Sequence, residues 1–316
     1  MKLTEHFKNP NTQVSFEILP PLKGRSIQSI YEVLDPLMDF KPPFINVTYH
    51  RAEYKNKLNN NDTVEKIAIR KRPGTVSICA AIMYKYGIDA VPHLICGGFT
   101  KDQTEDALID LHFLGVDNVL ALRGDAMKSE TTFHPEPGGN RYAIELVEQL
   151  QRMNKGIYLE EDLRNGNPTD FCIGVAGYPE KHFEASSKDT DLMYLKAKVD
   201  AGADFIVTQM FYDNHYYYEF VNKCRAAGIT VPIIPGLKPL TKKSQAQKLP
   251  SIFQIGIPLE LQMAFEKAKD DQAATEIGID WCIQQSKDLL RFGVPCLHYY
   301  VMSNVKEIYQ IVNRSI

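Results

Sequence analysis

Residues 192–211, LMYLKAKVDAGADFIVTQMF, contain one complete joint between a predicted helix and a predicted strand. Leu192, Leu195 and Val199 lie at helical spacing and predict a helix with one apolar face. Gly202 follows, and glycine commonly ends a helix because it adopts the left-handed conformation without a Cβ clash. The run Asp204–Phe211 is rich in β-branched and aromatic residues, which predicts a strand. This stretch therefore has the pattern of one repeat of a βα fold.

The same alternation continues along the whole chain. Gly115, Gly228 and Gly293 also stand between an amphipathic stretch and a predicted strand. Thr100 and Gln103 have the spacing of a capping box, which predicts the start of a helix. Eight strands are predicted, at Val14–Leu19, Phe44–Tyr49, Thr75–Ile82, Asn118–Leu122, Phe171–Gly177, Asp204–Phe211, Pro232–Leu237 and Pro295–Met302. Strands that alternate with helices predict a parallel sheet.

The length of 316 residues suits either two mid-sized domains or one (β/α)₈ barrel. There is no Pro/Gly/Ser-rich linker between two halves, and neither GxGxxG nor GxxxxGK[ST] occurs. We therefore predict an α/β protein, a single (β/α)₈ TIM barrel in which residues 1–316 form one catalytic domain. An open doubly wound sheet is the alternative. Segment 126–141 follows strand four and should lie on the active face, whereas segment 155–170 should lie on the opposite face.

Composition excludes several classes of protein. There are 36 Lys and Arg against 39 Asp and Glu, so the net charge of −3 gives no broad basic surface for nucleic acid. No apolar run approaches the roughly 20 residues that cross a bilayer, and the N-terminus lacks the apolar core of a signal peptide. The six cysteines form no CxxC and do not suggest a disulfide framework. We expect a cytoplasmic protein that binds neither nucleic acid nor membrane.

A carboxylate in the first predicted strand is the first candidate for chemistry. Glu17 stands among apolar residues in FEILPP, residues 16–21. Such a carboxylate is costly unless it is paired, protonated or directed into a cavity. TIM barrels carry their catalytic groups at the C-terminal ends of the strands, which is where Glu17 is expected. A purely structural role for Glu17 would require a buried cation nearby.

Other polar residues follow the later strands. Arg123 and Asp125 follow strand four, and a surface ion pair between them is the plain alternative to a functional role. His93 and His182 taken singly are typical of structural histidines. His93 and Cys96 could supply two zinc ligands, but no second close pair occurs, so no metal site is predicted. The residues alone leave open acid–base catalysis on a small molecule and cofactor chemistry on a protein scaffold.

Eight stretches, in order along the chain, resemble the methylenetetrahydrofolate reductase family in its short bacterial form, which has the catalytic barrel only. They are Phe16–Pro21, Phe44–Tyr49, Pro92–Leu94, Ala121–Asp125, Ala176–Glu180, Lys196–Asp204, Thr208–Asp213 and Ile233–Gly236. The resemblance implies a barrel that contains FAD. It implies that NADH or NADPH passes hydride to FAD and leaves, after which the reduced flavin converts methylenetetrahydrofolate to 5-methyltetrahydrofolate. That product supplies methyl groups for methionine synthesis.

The resemblance also implies roles for individual residues. Glu17 resembles the general acid that protonates N10 of the folate, for which we expect burial to raise its pKa. Asp125 resembles a residue that binds the pterin beside the flavin, and Gln209 and Gln245 match folate contacts. The positions that match FAD contacts are Thr48, His93, Leu122, Arg123, Gly124, Asp125, Tyr142, Ala143, Tyr178, His182, Asp191 and Lys198.

Two positions depart from the family pattern. Asn304 stands where the family has an arginine for the glutamate tail of folate, and Lys306 is the candidate substitute. Leu249 stands where the family tends to have an aromatic residue that stacks on substrate. The resemblance favours NADH over NADPH and leaves open whether the chain forms a homo-oligomer. Two alternative functions remain: an FAD barrel that oxidises an amino acid such as proline, and a folate-binding subunit of a methyl-transfer complex.

Overall fold

The computed structural model describes residues 1–58, 63–127, 130–302 and 304–316. Nine parallel strands form its main sheet: β1 (Gln13–Ile18), β2 (Phe44–Val47), β5 (Asp89–Ile95), β6 (Asn118–Leu122), β7 (Cys172–Gly177), β8 (Phe205–Thr208), β9 (Ile233–Ile234), β10 (Gly236–Leu237) and β11 (Cys296–Tyr300). They are ordered β10-β11-β1-β2-β5-β6-β7-β8-β9. Only Pro235 separates β9 from β10, so the two ends of the sheet belong to one interrupted strand. This arrangement confirms the prediction of an α/β barrel.

Helices follow the strands in the expected alternation. They are α1 (Leu3–His6), α2 (Gln28–Leu34), α3 (Val76–Tyr86), α4 (Lys101–Phe113), α5 (Ala143–Met153), α6 (Lys188–Asp200), α7 (Asn214–Ala226), α8 (Lys243–Phe253), α9 (Leu259–Lys267), α10 (Asp271–Phe292) and α11 (Val305–Ser315), with a 3₁₀ helix at Asp35–Phe40. The capping box is confirmed: Thr100 Oγ1 accepts from the backbone of Gln103, whose side chain accepts from the backbone of Thr100. Gly115, Gly228 and Gly293 all have positive φ, as predicted for residues that end helices.

The prediction of a strand at Thr75–Ile82 is wrong. This segment forms most of α3, and the third barrel strand is β5, seven residues further along. The β-branched residues suggested a strand, but the buried residues Ile78 and Ile82 lie four apart, on one face of a helix. An antiparallel hairpin of β3 (Glu53–Leu58) and β4 (Val64–Ile69) stands outside the barrel sheet, and the sequence pattern did not reveal it.

The interior of the barrel has an apolar floor. Leu3 of α1 packs there with Phe44, Val91 and Leu120, and its backbone N–H donates to Asn118 Oδ1 at 2.8 Å. Alternate residues of each strand face inward, so the outward residues pack against the helices, as Phe16 does against Phe40 at 6.3 Å between ring centroids. The N-terminal end of the barrel is thus closed, and polar groups face the other end.

Both long segments lie where they were predicted. Segment 126–141 connects β6 to α5 at the C-terminal end of the strands, and residues 128 and 129 lie outside the described residues. Segment 155–170 connects α5 to β7 at the opposite end, where Asp170 pairs with Lys2 at 2.5 Å. Among the described residues, the structure has no helix both long and apolar enough to cross a bilayer.

Candidate functional site

Glu17 lies at the centre of a polar layer inside the barrel. Its side chain is 11 % exposed, and its Oε2 atom is 3.3 Å from His93 Nε2 and 3.7 Å from His298 Nε2. β1, β5 and β11 supply these three residues, so closure of the barrel brings them together. The contact with His298 is longer than a hydrogen bond.

The expectation that Glu17 has a raised pKa is wrong. Burial alone would raise the pKa, but His93 and His298 outweigh that effect and lower the pKa to about 2. Lys238, which follows β10, is a further cation close to Glu17, and burial lowers the pKa of its own ammonium. The apolar neighbours of Glu17 in the sequence face outward, whereas its neighbours in space are imidazoles. Glu17 is therefore ionised in the resting protein.

A second set of polar groups contacts the two histidines inside the barrel. Ser15 Oγ lies 2.8 Å from His298 Nδ1 and 3.2 Å from Cys296 Sγ. Asn46 Nδ2 lies 3.4 Å from His93 Nε2. Sequence reasoning missed the supporting role of Ser15, Asn46 and His298. The available signal was their spacing, because each lies two residues from a polar residue on the same strand and therefore faces inward with it.

The turn after β6 depends on glycine. Gly124 has φ of +83°, and a Cβ there would lie 3.3 Å from the side chain of Ile95. Arg123 pairs with Glu184 through both terminal nitrogens, one of them at 3.0 Å from Glu184 Oε1. Asp125 is exposed and has no hydrogen bond or ion pair within the described parts of the chain. An Arg123–Asp125 surface pair is therefore wrong, and no motif in the sequence indicated Glu184.

Residues 130–136 contact an arginine from a different loop. Arg51, which follows β2, lies 3.6 Å from Glu130 and 3.9 Å from Glu136. The ring of Phe133 lies 6.0 Å from the Arg51 guanidinium and 5.0 Å from that of Arg123. These contacts connect the loop after β2 to Arg123, and no pattern in the sequence indicated them.

The segment after β7 adds two more basic groups beside Arg123. His182 accepts at Nδ1 from the backbone N–H of Glu184, and its own backbone N–H donates to Asp191 at 2.9 Å. Lys198 donates to the carbonyl of Ala176 at 2.8 Å. Burial lowers the pKa of the Lys198 ammonium to about 8, against the attraction of Asp191. Arg123, His182 and Lys198 form what we call the basic corner of the barrel mouth.

The structure also locates the remaining positions that were predicted to contact FAD. Thr48, at the end of β2, has a buried hydroxyl without a hydrogen-bond partner among the described residues. The ring of Tyr178 lies 4.7 Å from that of His182. Leu122 ends β6, while Ala143 begins α5 and Tyr142, immediately before it, is 47 % exposed.

The two glutamines that were predicted to contact folate both accept hydrogen bonds from nearby backbone N–H groups through their side-chain oxygens. Gln209 accepts from the backbone of Met210 at 3.0 Å. Gln245 accepts from the backbone N–H groups of Thr241 at 2.7 Å and Lys242 at 3.2 Å, and so caps α8. Their amide nitrogens donate no hydrogen bond among the described residues, so both retain donors for a ligand.

The structure also places the positions that depart from the family pattern. Asn304 directly precedes α11, and Lys306 is exposed on that helix. Leu249 is buried in an apolar cluster with Met210 and Tyr212.

Comparison with known proteins places the chain in a family. The family model described as methylenetetrahydrofolate reductase matches residues 2–316. The Escherichia coli 5,10-methylenetetrahydrofolate reductase is 33 % identical over 302 residues, which cover 94 % of this chain and 88 % of that protein. Methylenetetrahydrofolate reductase 1 of Schizosaccharomyces pombe is 31 % identical over 99 % of this chain, and methylenetetrahydrofolate reductase (NADH) 1 of Arabidopsis thaliana is 32 % identical over 96 %. This chain spans 48 % and 49 % of the length of those two relatives.

A solved structure shares the fold. It is an uncharacterised Clostridium thermocellum protein described as binding two copies of 5-methyl-5,6,7,8-tetrahydrofolic acid, with a TM-score of 0.55 and 14 % identity. The match covers 99 % of this chain and 98 % of that one. The structural likeness concerns the barrel alone, whereas the sequence matches cover nearly the whole chain. The chain therefore belongs to the methylenetetrahydrofolate reductase family.

Proposed function

We propose that this chain reduces 5,10-methylenetetrahydrofolate to 5-methyltetrahydrofolate, with FAD as its cofactor and NADH or NADPH as the electron donor. The observation that carries the proposal is the position of Glu17, a buried carboxylate at the open end of the barrel of a family member. NADH is the preferred donor because plant relatives carry NADH in their names. The proposal includes residues 1–316 acting as one catalytic domain in the cytoplasm and a product used for methionine synthesis.

The residues at the mouth of the barrel fit FAD. The basic corner supplies three cationic or hydrogen-bonding side chains that suit a diphosphate. Asp191 suits a ribose hydroxyl, and the unpartnered buried hydroxyl of Thr48 suits a polar atom of the cofactor. Glu184 forms an ion pair with the Arg123 guanidinium, so a bound diphosphate would compete with this carboxylate for Arg123. FAD, when bound, would supply the hydride chemistry between the nicotinamide and the folate.

The chain's own residues would prepare the folate for reduction. Glu17 would give a proton to N10, which opens the five-membered ring and leaves an iminium at N5. The exposed carboxylate of Asp125 would stabilise that positive charge. Gln209 and Gln245 would donate their free amide N–H groups to the folate. With Asn304 in place of arginine, Lys306 is the candidate for contact with the glutamate tail.

The test separates the two halves of the reaction in a Glu17→Gln variant. We expect NADH to bleach the flavin of this variant as in the wild type, because Glu17 takes no part in that step. Re-oxidation by methylenetetrahydrofolate should be slower by about 100-fold or more, since the general acid is lost. Stopped-flow absorbance measures both rates.

The matched control is Glu276→Gln, which changes an exposed glutamate on α10 and should leave both rates unchanged. Unaltered folate-driven re-oxidation in Glu17→Gln would contradict the role of Glu17. A colourless protein that cannot be reconstituted with FAD would contradict the proposed function itself, and turnover of proline in place of folate would support amino-acid oxidation.

A further inference from the structure

His298 has a buried ring nitrogen that the fold leaves without a partner. The residue is 0 % exposed, and Nε2 forms no hydrogen bond within the described parts of the chain. A buried polar atom without a partner destabilises the folded state, so its presence requires an explanation. The carboxylate oxygen Glu17 Oε2 lies 3.7 Å from His298 Nε2. The two atoms face each other at a distance longer than a hydrogen bond, so one proton passes between them only when the two side chains approach each other.

The hydrogen bonds on the other side of the ring determine which nitrogen carries the movable proton. Cys296 Sγ donates to the carbonyl of Leu297 at 3.6 Å, so its lone pairs are available to the hydroxyl of Ser15 at 3.2 Å. With its own proton given to Cys296, Ser15 Oγ accepts from His298 Nδ1 at 2.8 Å. Nδ1 thus keeps the proton that it donates to Ser15, and Nε2, on the other side of the ring, faces Glu17.

His93 is less suited to this role. Its Nε2 lies 3.3 Å from Glu17 but also 3.4 Å from the amide nitrogen of Asn46, so this atom does not face Glu17 alone. The charge of Glu17 raises the pKa of three other titratable groups, namely Lys238 after β10, His50 after β2 and Tyr300 on β11, although for Lys238 and His50 burial is the larger effect and lowers the pKa. Among the contacts of the described residues, His298 is the histidine that is fully enclosed and whose Nε2 faces Glu17 without a second polar partner.

We propose that His298 is a positioning residue that shares one proton with Glu17 and stores it while Glu17 is ionised. The proposal rests on the function proposed above, in which Glu17 must act as an acid. In the resting enzyme the proton is on Nε2. Its transfer to Oε2 leaves a neutral imidazole and a carboxylic acid, and the acid then gives one proton to N10 of the folate. A solvent proton that enters through the exposed edge of Glu17 restores the pair.

Nitrogen-15 NMR of the histidine-labelled holoenzyme tests the shared proton directly. We expect His298 to carry protons on both ring nitrogens near neutral pH in the wild type, and on Nδ1 alone in Glu17→Gln. The signal is assigned by its loss in His298→Asn. The same protonation state in both proteins would overturn the proposal. These signals need no folate turnover, so a shared proton in an enzyme inactive toward folate counts against the proposed function only.

Ser15→Ala provides a second variant that leaves both charged groups in place. Without the hydroxyl acceptor, the neutral Nε2–H form should replace the doubly protonated ring. Folate-driven re-oxidation should slow and its pH profile should shift, by less than the roughly 100-fold loss expected without the acid, while reduction by NADH is unchanged. Ser77→Ala, an exposed change on α3, is the matched control. An unchanged pH profile in Ser15→Ala would overturn the role of His298.

Discussion

Two buried charges in the barrel mouth respond differently to their surroundings. Glu17 has imidazoles close enough to overcome burial, so the pKa of its carboxyl falls to about 2. Lys198 has Asp191 nearby, but burial is the larger effect, and the pKa of its ammonium falls to about 8. Both residues could be predicted as site residues from the sequence. Their charge states could not be predicted, because each charge state depends on side chains that other elements of the fold supply.

The lowered pKa of Lys198 predicts a pH dependence for cofactor binding. Lys198 is cationic below about pH 8 and attracts a diphosphate, and it loses this charge as the pH rises through about 8. We therefore expect the Kd for FAD, measured by quenching of flavin fluorescence, to increase between about pH 7 and about pH 9.5.

The same titration of Lys198→Met should show weaker binding and lack this part of the pH dependence. Lys269→Met, an exposed change before α10, should behave like the wild type. Equal pH dependence in wild type and Lys198→Met would show that Lys198 does not face the cofactor.

At the scale of the elements, local chemistry explains which predictions succeeded. The capping box at Thr100 and the glycines that end helices are decided by nearby residues and are therefore visible in the sequence. The segment Thr75–Ile82 was mistaken for a strand because β-branched residues also fit the buried face of a helix that packs on the sheet. The hairpin of β3 and β4 escaped notice because charged residues interrupt both of its strands and because it lies outside the barrel sheet.

The interrupted strand formed by β9 and β10 depends on one glycine. A Cβ on Gly236 would overlap the carbonyl oxygen of Thr208 and the hydroxyl of Tyr300, which are themselves joined by a 2.6 Å hydrogen bond. We expect Gly236→Ala to lower the free energy of unfolding by about 2 kcal/mol or more. Urea denaturation followed by circular dichroism measures this loss.

Gly74→Ala is the control, since a Cβ there meets nothing within 4 Å and the backbone φ is not positive. Its free energy of unfolding should stay within about 1 kcal/mol of the wild type. If both alanine variants were equally stable, the close approach at Gly236 would be refuted.

In the whole molecule, the residues that stabilise the fold and the residues of the candidate site lie at opposite ends of the barrel axis. Apolar residues and α1 close one end, and polar groups from β1, β2, β5 and β11 and from the loops after β6 and β7 gather at the other. The sequence predicted this division because catalytic groups in such barrels follow the strands. It could not predict that Glu17 meets His298, because 281 residues separate them and only closure of the barrel makes β1 and β11 neighbours. The cofactor and the reaction were inferred from family resemblance, not from the pattern of residues.

Leu3 tests this division of the molecule. The side chain is 0 % exposed in the floor of the barrel, so Leu3→Ala should lower the free energy of unfolding by about 2–4 kcal/mol. The flavin spectrum and half-reaction rates of the folded variant should be unchanged, because the site lies at the other end. Leu163→Ala, at an exposed position in segment 155–170, should change neither stability nor rates. A large loss of rate with little loss of stability in Leu3→Ala would contradict the separation.

The measurement that tests the central claim most directly is the anaerobic visible spectrum of the purified full-length chain through one catalytic cycle. We predict a yellow protein that NADH bleaches and that regains its colour when methylenetetrahydrofolate is added, with one 5-methyltetrahydrofolate formed for each flavin re-oxidised. A reduced flavin that stays bleached in the presence of methylenetetrahydrofolate would contradict the account.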